Sequence, residues 1–223
     1  MNQLSTEDIA SRIPHRYENL LLDKSTILSD TSSEFELHIP IDDRLGRTIF
    51  CYEEGDRACL PTPILSEIAA LACIVSSGAI KPGTFAYFAS INQFTLTNGA
   101  FDAHQPLRGT TQKISDKNGF HKYSFHITNE MAEAQGQLMA FYDTSGVDQK
   151  PELPAVKLDP TDLNAIQTTS YNIAPYSNKK EQMTFSSHLH QISESSAMYS
   201  YTYPTNHPLV RGHFPNNPVM MGV

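Results

Sequence analysis

Cysteine is scarce in this chain of 223 residues, and its distribution excludes two classes of protein. The three cysteines, Cys51, Cys59 and Cys73, are odd in number, have no CxxC spacing and all fall in the first third of the sequence. This pattern indicates neither a disulfide framework nor a zinc site. We therefore expect a protein of the reducing cytoplasm, with no metal and no cofactor.

Basic residues are also few. The chain has 16 Lys and Arg against 24 Asp and Glu, a formal charge of -8, and the basic residues are scattered along it. A protein that neutralises nucleic-acid phosphates needs Lys and Arg in clusters. The sequence therefore predicts no nucleic-acid partner.

Long hydrophobic runs are missing as well. The most apolar segment, residues 64–80, is interrupted by Ser66, Glu67, Ser76 and Ser77 and is shorter than the roughly 20 residues that a membrane span requires. The first 17 residues have no basic stretch followed by an apolar core, as a secretory signal would. The sequence predicts neither a membrane span nor a secretory signal.

What remains is the composition of a globular protein, with 39% hydrophobic and 18% charged residues. Pro61-Thr62-Pro63 precedes a segment of good helix formers, so we expect a helix of about four turns with Thr62 as its cap, Pro63 as its first residue and Gly78 as its stop. Apolar residues cover more than one stripe of this helix, which indicates that other structure encloses it. Glu67 lies inside that apolar surface.

Alternating patterns on both sides of this helix predict an antiparallel sheet. Two short strands come before it, in residues 19–28 and 33–41, and four come after it, in residues 85–97, 107–115, 120–128 and 132–142, which we expect to form a meander. Asp116-Lys117-Asn118-Gly119 is typical of a hairpin turn. Residues 1–145 are thus predicted to be one α+β unit, a long helix wrapped by a curved antiparallel sheet.

A second, incomplete unit is expected after a linker. Residues 146–160 are rich in proline and charge without a period, which is typical of a linker. In residues 161–223 the first unit is faintly repeated, since Pro175 precedes His213 by nearly the spacing of Pro14 and Glu53. This second unit would lack its central helix, so we expect the chain to be the N-terminal part of a longer protein that continues beyond Val223.

Two motifs carry a resemblance to a known family. IPHRYENLLLD (13–23) and NHPLVRGHFPNNPVMMGV (206–223) resemble the signature stretches of the beta-hydroxyacyl-acyl carrier protein dehydratases, hot-dog-fold enzymes of fatty acid synthesis. The resemblance implies an active site shared by two hot-dog units: one gives the histidine of GHFP, and the other gives an acid of the central helix, 14 positions after its own histidine slot. Here Glu67 stands in the acid position, and its slot holds Glu53.

The resemblance therefore implies one composite catalytic site, His213 with Glu67, in a tandem double hot dog. It also implies that the amide of Gly222 meets the thioester oxygen and that the carbonyl of Val219 holds the imidazole. Met221 departs from the family, which usually has proline there. The implied reaction is dehydration of 3-hydroxyacyl thioesters on acyl carrier protein, in fatty acid or polyketide-like synthesis.

Such a dehydration needs a base at C2 and an acid at C3. Neutral His213 is suited to be the base, and burial on an apolar helix is expected to raise the pKa of Glu67 so that it carries a proton for the leaving hydroxyl. A second reading, also implied by the family, leaves most proton transfer to the histidine, while the acid orients water or the hydroxyl group.

Two other functions stay open. A hot-dog thioesterase would use the helix carboxylate to direct water onto the thioester, and a non-catalytic scaffold would bind acyl carriers or partner subunits. The expected assembly is a pseudo-dimer or a homo-oligomer, and docking of an acidic carrier protein needs a basic face. Candidates for that face are Arg12, Arg16, Lys179, Lys180 and Arg211. The remaining histidines, which include His15, His38, His121 and His126, are interpreted as structural or exposed, and the pair His188 and His190 is weak support for a metal.

Overall fold

The computed structural model describes residues 1–77 and 85–143, the backbone of residues 186–192 and 197–201, and His213. The predicted linker, the helix stop at Gly78 and the end of the chain lie outside these residues. So do the site residues Val219 and Gly222, and three of the basic docking candidates, namely Lys179, Lys180 and Arg211.

Two helices and twelve strands make up the described residues. The α-helices are α1, Thr6–Arg12, and α2, Thr62–Ser76, and two short 3-10 helices cover Tyr17–Asn19 and Arg47–Phe50. The strands are β1 Asn2–Leu4, β2 Lys24–Ile27, β3 Ser32–Leu37, β4 Tyr52–Glu54, β5 Arg57–Leu60, β6 Phe85–Thr97, β7 Phe101–Asp102, β8 Leu107–Lys117, β9 Phe120–Thr128, β10 Glu133–Asp143, β11 Ser186–Ile192 and β12 Ala197–Tyr201.

Seven strands form one antiparallel sheet in the order β1-β2-β3-β8-β9-β10-β6. The four long strands lie where the sequence predicted them. The predicted meander order is wrong for β6, the first of the four. Strand β6 pairs with β10 at the edge of the sheet, and β3 occupies the position beside β8. The reason is the connection after β6: Phe101 and Asp102 first pair with Leu60 and Cys59 of β5 in a small sheet, so β6 and β8 are separated before β8 begins.

The predicted helix is present and enclosed. Every residue of α2 from Ile64 to Ser76 is buried, and the helix contacts β2, β3, β6, β8, β9 and β10 of the large sheet. Its cap differs from the prediction by one residue. Pro61 is the N-cap, with φ of -72° and ψ of 150°, and Thr62 is already helical. Pro61 has an extended backbone and therefore stands just outside the helix, and Thr62 and Pro63 begin its first turn.

Local signals in the sequence are matched by local structure. Asn118 and Gly119, with φ of 53° and 80°, join β8 to β9, which is the geometry of a two-residue hairpin turn with both central residues left-handed. Helix α1 begins with a capping box in which Ser5 and Asp8 exchange backbone and side-chain hydrogen bonds. The hairpin turn is the one predicted from residue type at Asp116-Lys117-Asn118-Gly119.

Replacing Gly136 by alanine is expected to destabilise the sheet strongly. Gly136 lies in β10 between β6 and β9, and a Cβ built there would collide with the carbonyl oxygen of Gln93 and lie 2.7 Å from Cζ of Phe125. Backbone of a paired strand cannot move aside cheaply, so we expect a loss of about 3 kcal/mol in the free energy of unfolding. Urea denaturation measures it.

The control for this substitution is Gly55→Ala. Gly55 has a left-handed φ of 63°, which Gly136 does not, and no atom lies within 4 Å of its Cβ position. Its alanine variant therefore reports the cost of left-handed backbone alone, about 1 kcal/mol. A loss in Gly136→Ala no greater than the loss in Gly55→Ala would contradict the large cost expected from the collision in β10.

Candidate active site

Three buried side chains meet at the second turn of α2. The Oε1 atom of Glu67 lies 3.6 Å from Nε2 of His15 and 3.7 Å from Nε2 of His213. The two imidazole rings are in edge contact, with centroids 4.7 Å apart and planes at 70°. At most 7% of each of these residues is exposed, so the cluster is shielded from bulk water.

Glu67 owes its position to the apolar helix that carries it. Ile64 and Leu71, one turn before and one turn after it on the same face, are both about 1% exposed. The rest of the helix packs into the sheet and fixes the rotation of α2 about its axis. The carboxylate therefore points to a fixed place in the interior.

His15 is held by the loop that follows α1. The guanidinium of Arg16 folds back and donates hydrogen bonds to the carbonyl oxygens of Ile13, at 2.8 Å, and His15, at 2.7 Å. Tyr17, with a left-handed φ of 55°, then turns the chain into the first 3-10 helix. The IPHRY motif thus forms a tight buried loop that presents His15 to Glu67.

This loop corrects the docking assignment of Arg16. The residue is 4% exposed and bonded to its own loop, so it cannot belong to a basic face for a carrier protein. Arg12 is partly exposed, and its guanidinium lies 3.3 Å from the carbonyl of Val75 near the end of α2. Of the docking candidates in the described chain, Arg12 is the one that remains at the surface.

The protonation of Glu67 differs from the sequence-based prediction. Burial raises the pKa of its carboxyl group, as expected, but polar contacts with His15 and His213 outweigh burial and lower the pKa to about 2. For His15, burial is the main influence and lowers the pKa to about 4. Near neutral pH the cluster therefore contains a carboxylate at Glu67 and a neutral imidazole at His15. The lowered pKa disfavours a protonated Glu67 acting as an acid.

Two of the three residues of this cluster were predicted from the sequence. His213 and Glu67 were predicted as partners, and the structure brings them together. The third, His15, was interpreted as structural or exposed. Its only signal was its place inside the IPHRY motif, and nothing in the spacing linked that motif to α2. Glu53, which the resemblance implies to be in the histidine slot, lies exposed in β4.

Lowering the pH should reduce the free energy of unfolding because the buried imidazole of His15 resists protonation. Its pKa is about 4 in the folded chain against an ordinary 6.5, so between these values the unfolded state binds more protons and the free energy of unfolding falls as the pH falls. Glu67, with its pKa lowered from 4.5 to about 2, adds stability that is lost mainly below about pH 4.5, outside the range between about pH 7 and about pH 5. The drop between about pH 7 and about pH 5 should therefore be smaller in His15→Asn. Urea denaturation at both pH values measures it, and equal drops would contradict a buried neutral His15.

Comparison with known proteins gives the fold but no family. No protein-family model matches the sequence, and a search of curated proteins finds no match. The structure is similar to a chain of the dehydratase heterocomplex ApeI:P from Xenorhabdus doucetiae, with a TM-score of 0.52 and 18% identity over 66% of this chain and 96% of that one. The chain therefore has a hot-dog fold. The part of the chain that the structure describes contains no helix long and apolar enough to cross a membrane.

More distant similarity extends to other hot-dog proteins. The fluoroacetyl-CoA thioesterase FlK matches with a TM-score of 0.42 and 11% identity, over 53% of this chain and 87% of its own. The E. coli PaaI protein of the phenylacetic acid degradation operon matches with a TM-score of 0.36 and 12% identity, over 60% and 88% of the two chains.

Proposed function

We propose that this chain is a dehydratase that removes water from 3-hydroxyacyl thioesters carried on acyl carrier protein. In this proposal residues 1–145 form one hot-dog unit and residues 161–223 belong to a second, so that Glu67 and His213 meet across a pseudo-dimer. The observation that carries it is the 3.7 Å separation of His213 Nε2 and Glu67 Oε1 inside a closed site. These side chains are far apart in sequence, and both are residues that the family resemblance implies.

The protonation of the cluster favours histidine as the group that moves the proton. His213 takes the proton from C2 of the substrate, and electrons of the C2–H bond form the C2–C3 double bond as the C3–O bond breaks. The resulting imidazolium returns the proton to the departing hydroxide, which leaves as water. The ionised carboxylate of Glu67 stabilises the imidazolium and accepts a hydrogen bond from the C3 hydroxyl.

His15 is a positioning residue in this scheme. A neutral imidazole 3.6 Å from the carboxylate fixes the direction of Glu67 without neutralising it. The proposal also retains the amide of Gly222 as the donor to the thioester oxygen and the carbonyl of Val219 as the group that orients His213. These two roles follow the family resemblance.

A second candidate function is hydrolysis of acyl thioesters. The observation that favours it is the charge of Glu67, because a buried carboxylate is a suitable base for activating water. In that reaction Glu67 takes a proton from water, hydroxide attacks the thioester carbonyl, and the thiolate leaves and is protonated. His213 is not needed as the base.

One assay separates these reactions. The full chain is incubated with 3-hydroxyacyl thioesters of several chain lengths, and enoyl thioester absorbance and free thiol are followed in parallel. Dehydration predicts enoyl product without thiol, whereas hydrolysis predicts thiol without enoyl product. Neither product at any chain length would overturn both enzymatic proposals and leave the non-catalytic scaffold.

A further inference from the structure

We propose that His15, Glu67 and His213 also form a binding site for a zinc ion. The inference concerns metal binding alone and stands whether or not the chain acts on acyl thioesters. The sequence predicted no zinc site because its cysteines lack a suitable spacing. The three ligands proposed here lie far apart along the chain, so no spacing pattern indicated them. Folding brings one ligand atom of each within 4.8 Å of the others.

The donor set is suited to zinc. Two imidazoles and one carboxylate are three protein ligands, and zinc sites with three protein ligands keep a fourth position for water or another small ligand. Nitrogen donors of this kind favour zinc over magnesium and calcium, which prefer oxygen ligands. The negative charge of Glu67 offsets half of the charge of the ion in a buried place.

The distances are also close to those between ligands of one ion. A charge-assisted N–H to carboxylate bond spans roughly 2.7 to 2.9 Å, whereas Oε1 of Glu67 lies 3.6 and 3.7 Å from the two Nε2 atoms. Donors around a tetrahedral zinc ion, with bonds of about 2.0 to 2.1 Å, are roughly 3.3 to 3.5 Å apart. The two separations from Glu67 are therefore close to those of ligands of one ion. The ligand atoms of the two histidines lie within 4.8 Å of each other and would move closer together around an ion.

Zinc binds neutral imidazole and ionised carboxylate, so protons on either group compete with the metal. Zinc in this place would occupy Nε2 of both histidines. If the proposed dehydration takes place here, zinc and substrate turnover exclude each other.

The test is equilibrium dialysis of the chelator-treated full chain against zinc alone, with bound metal quantified. We expect one zinc ion per chain and at least a tenfold weaker affinity in His15→Asn. The matched control is His126→Asn, which removes one member of an exposed His126–Glu133 pair, 2.7 Å apart on the sheet, and should leave the affinity unchanged. Circular dichroism shows whether each variant is folded, and Glu67→Gln serves as a second ligand variant.

Two outcomes would overturn the zinc site. One is the absence of stoichiometric zinc in the unmodified chain, or its displacement by millimolar magnesium or calcium, and this result does not depend on any variant. The other is equal zinc affinity in the unmodified chain and in a folded His15 or Glu67 variant. Neither measurement uses acyl substrate, so failure of the zinc proposal is distinguishable from failure of the dehydratase proposal.

Discussion

Replacing His213 by alanine should reduce dehydration of a 3-hydroxyacyl thioester by about 100-fold or more, with hydrolysis of the thioester unaffected. The imidazole is the only group in the proposed scheme that both takes the C2 proton and returns it. The measurement is kcat/KM from enoyl thioester absorbance, with release of thiol recorded in the same reaction.

A matched control for His213→Ala is His38→Ala. His38 is exposed, and its Nε2 lies 3.2 Å from the carbonyl of His104, in a different part of the fold. Its variant should retain full activity and show that loss of an imidazole is not harmful in itself. Wild-type dehydration in His213→Ala would contradict the assignment of the base. Loss of hydrolysis together with dehydration would contradict a Glu67-led thioesterase.

The sequence predicted the elements of the fold better than their order. Strands β8, β9 and β10 and helix α2 could be located because period, turn residues and proline placement are local properties of the chain. The place of β6 depends on which distant strand it pairs with, and that is decided by the short β7, whose two residues gave no signal. Sheet order is a property of the connections, and pattern alone does not contain it.

The candidate site, too, could be predicted from the sequence only in part. The motif located Glu67 and His213, but the sign of the pKa shift at Glu67 was predicted wrongly. Burial was visible in the apolar helix, whereas the contact with His15 was not, because nothing in the sequence shows that residue 15 folds against residue 67. The charge of a buried group is set by its neighbours, and one of the two histidines that lower this pKa, His15, was interpreted as structural or exposed.

Replacing Arg47 by alanine should cost about 3 to 5 kcal/mol in the free energy of unfolding. The Arg47 side chain is 4% exposed and forms ion pairs of 2.6 Å with Asp23 and 2.8 Å with Asp43. It also donates a 3.0 Å hydrogen bond to the carbonyl of His38. Its removal leaves the buried carboxylate of Asp43 without its cation, and burial makes an uncompensated charge expensive.

The surface pair of Lys24 and Glu36 provides the matched control. Its atoms are 3.7 Å apart, and about half of each side chain is exposed, so Lys24→Ala should cost at most about 1 kcal/mol. Urea denaturation compares the two variants, and Arg47→Met tests whether packing or charge is responsible, since it keeps much of the volume and removes the charge. A large loss of stability in Arg47→Met would show that the cost comes from the carboxylates of Asp23 and Asp43, which have then lost their cation. A loss in Arg47→Ala no greater than that in Lys24→Ala would mean that water reaches the carboxylate of Asp43. The ion pairs of Arg47 would then not anchor the second 3-10 helix to β2 and β3.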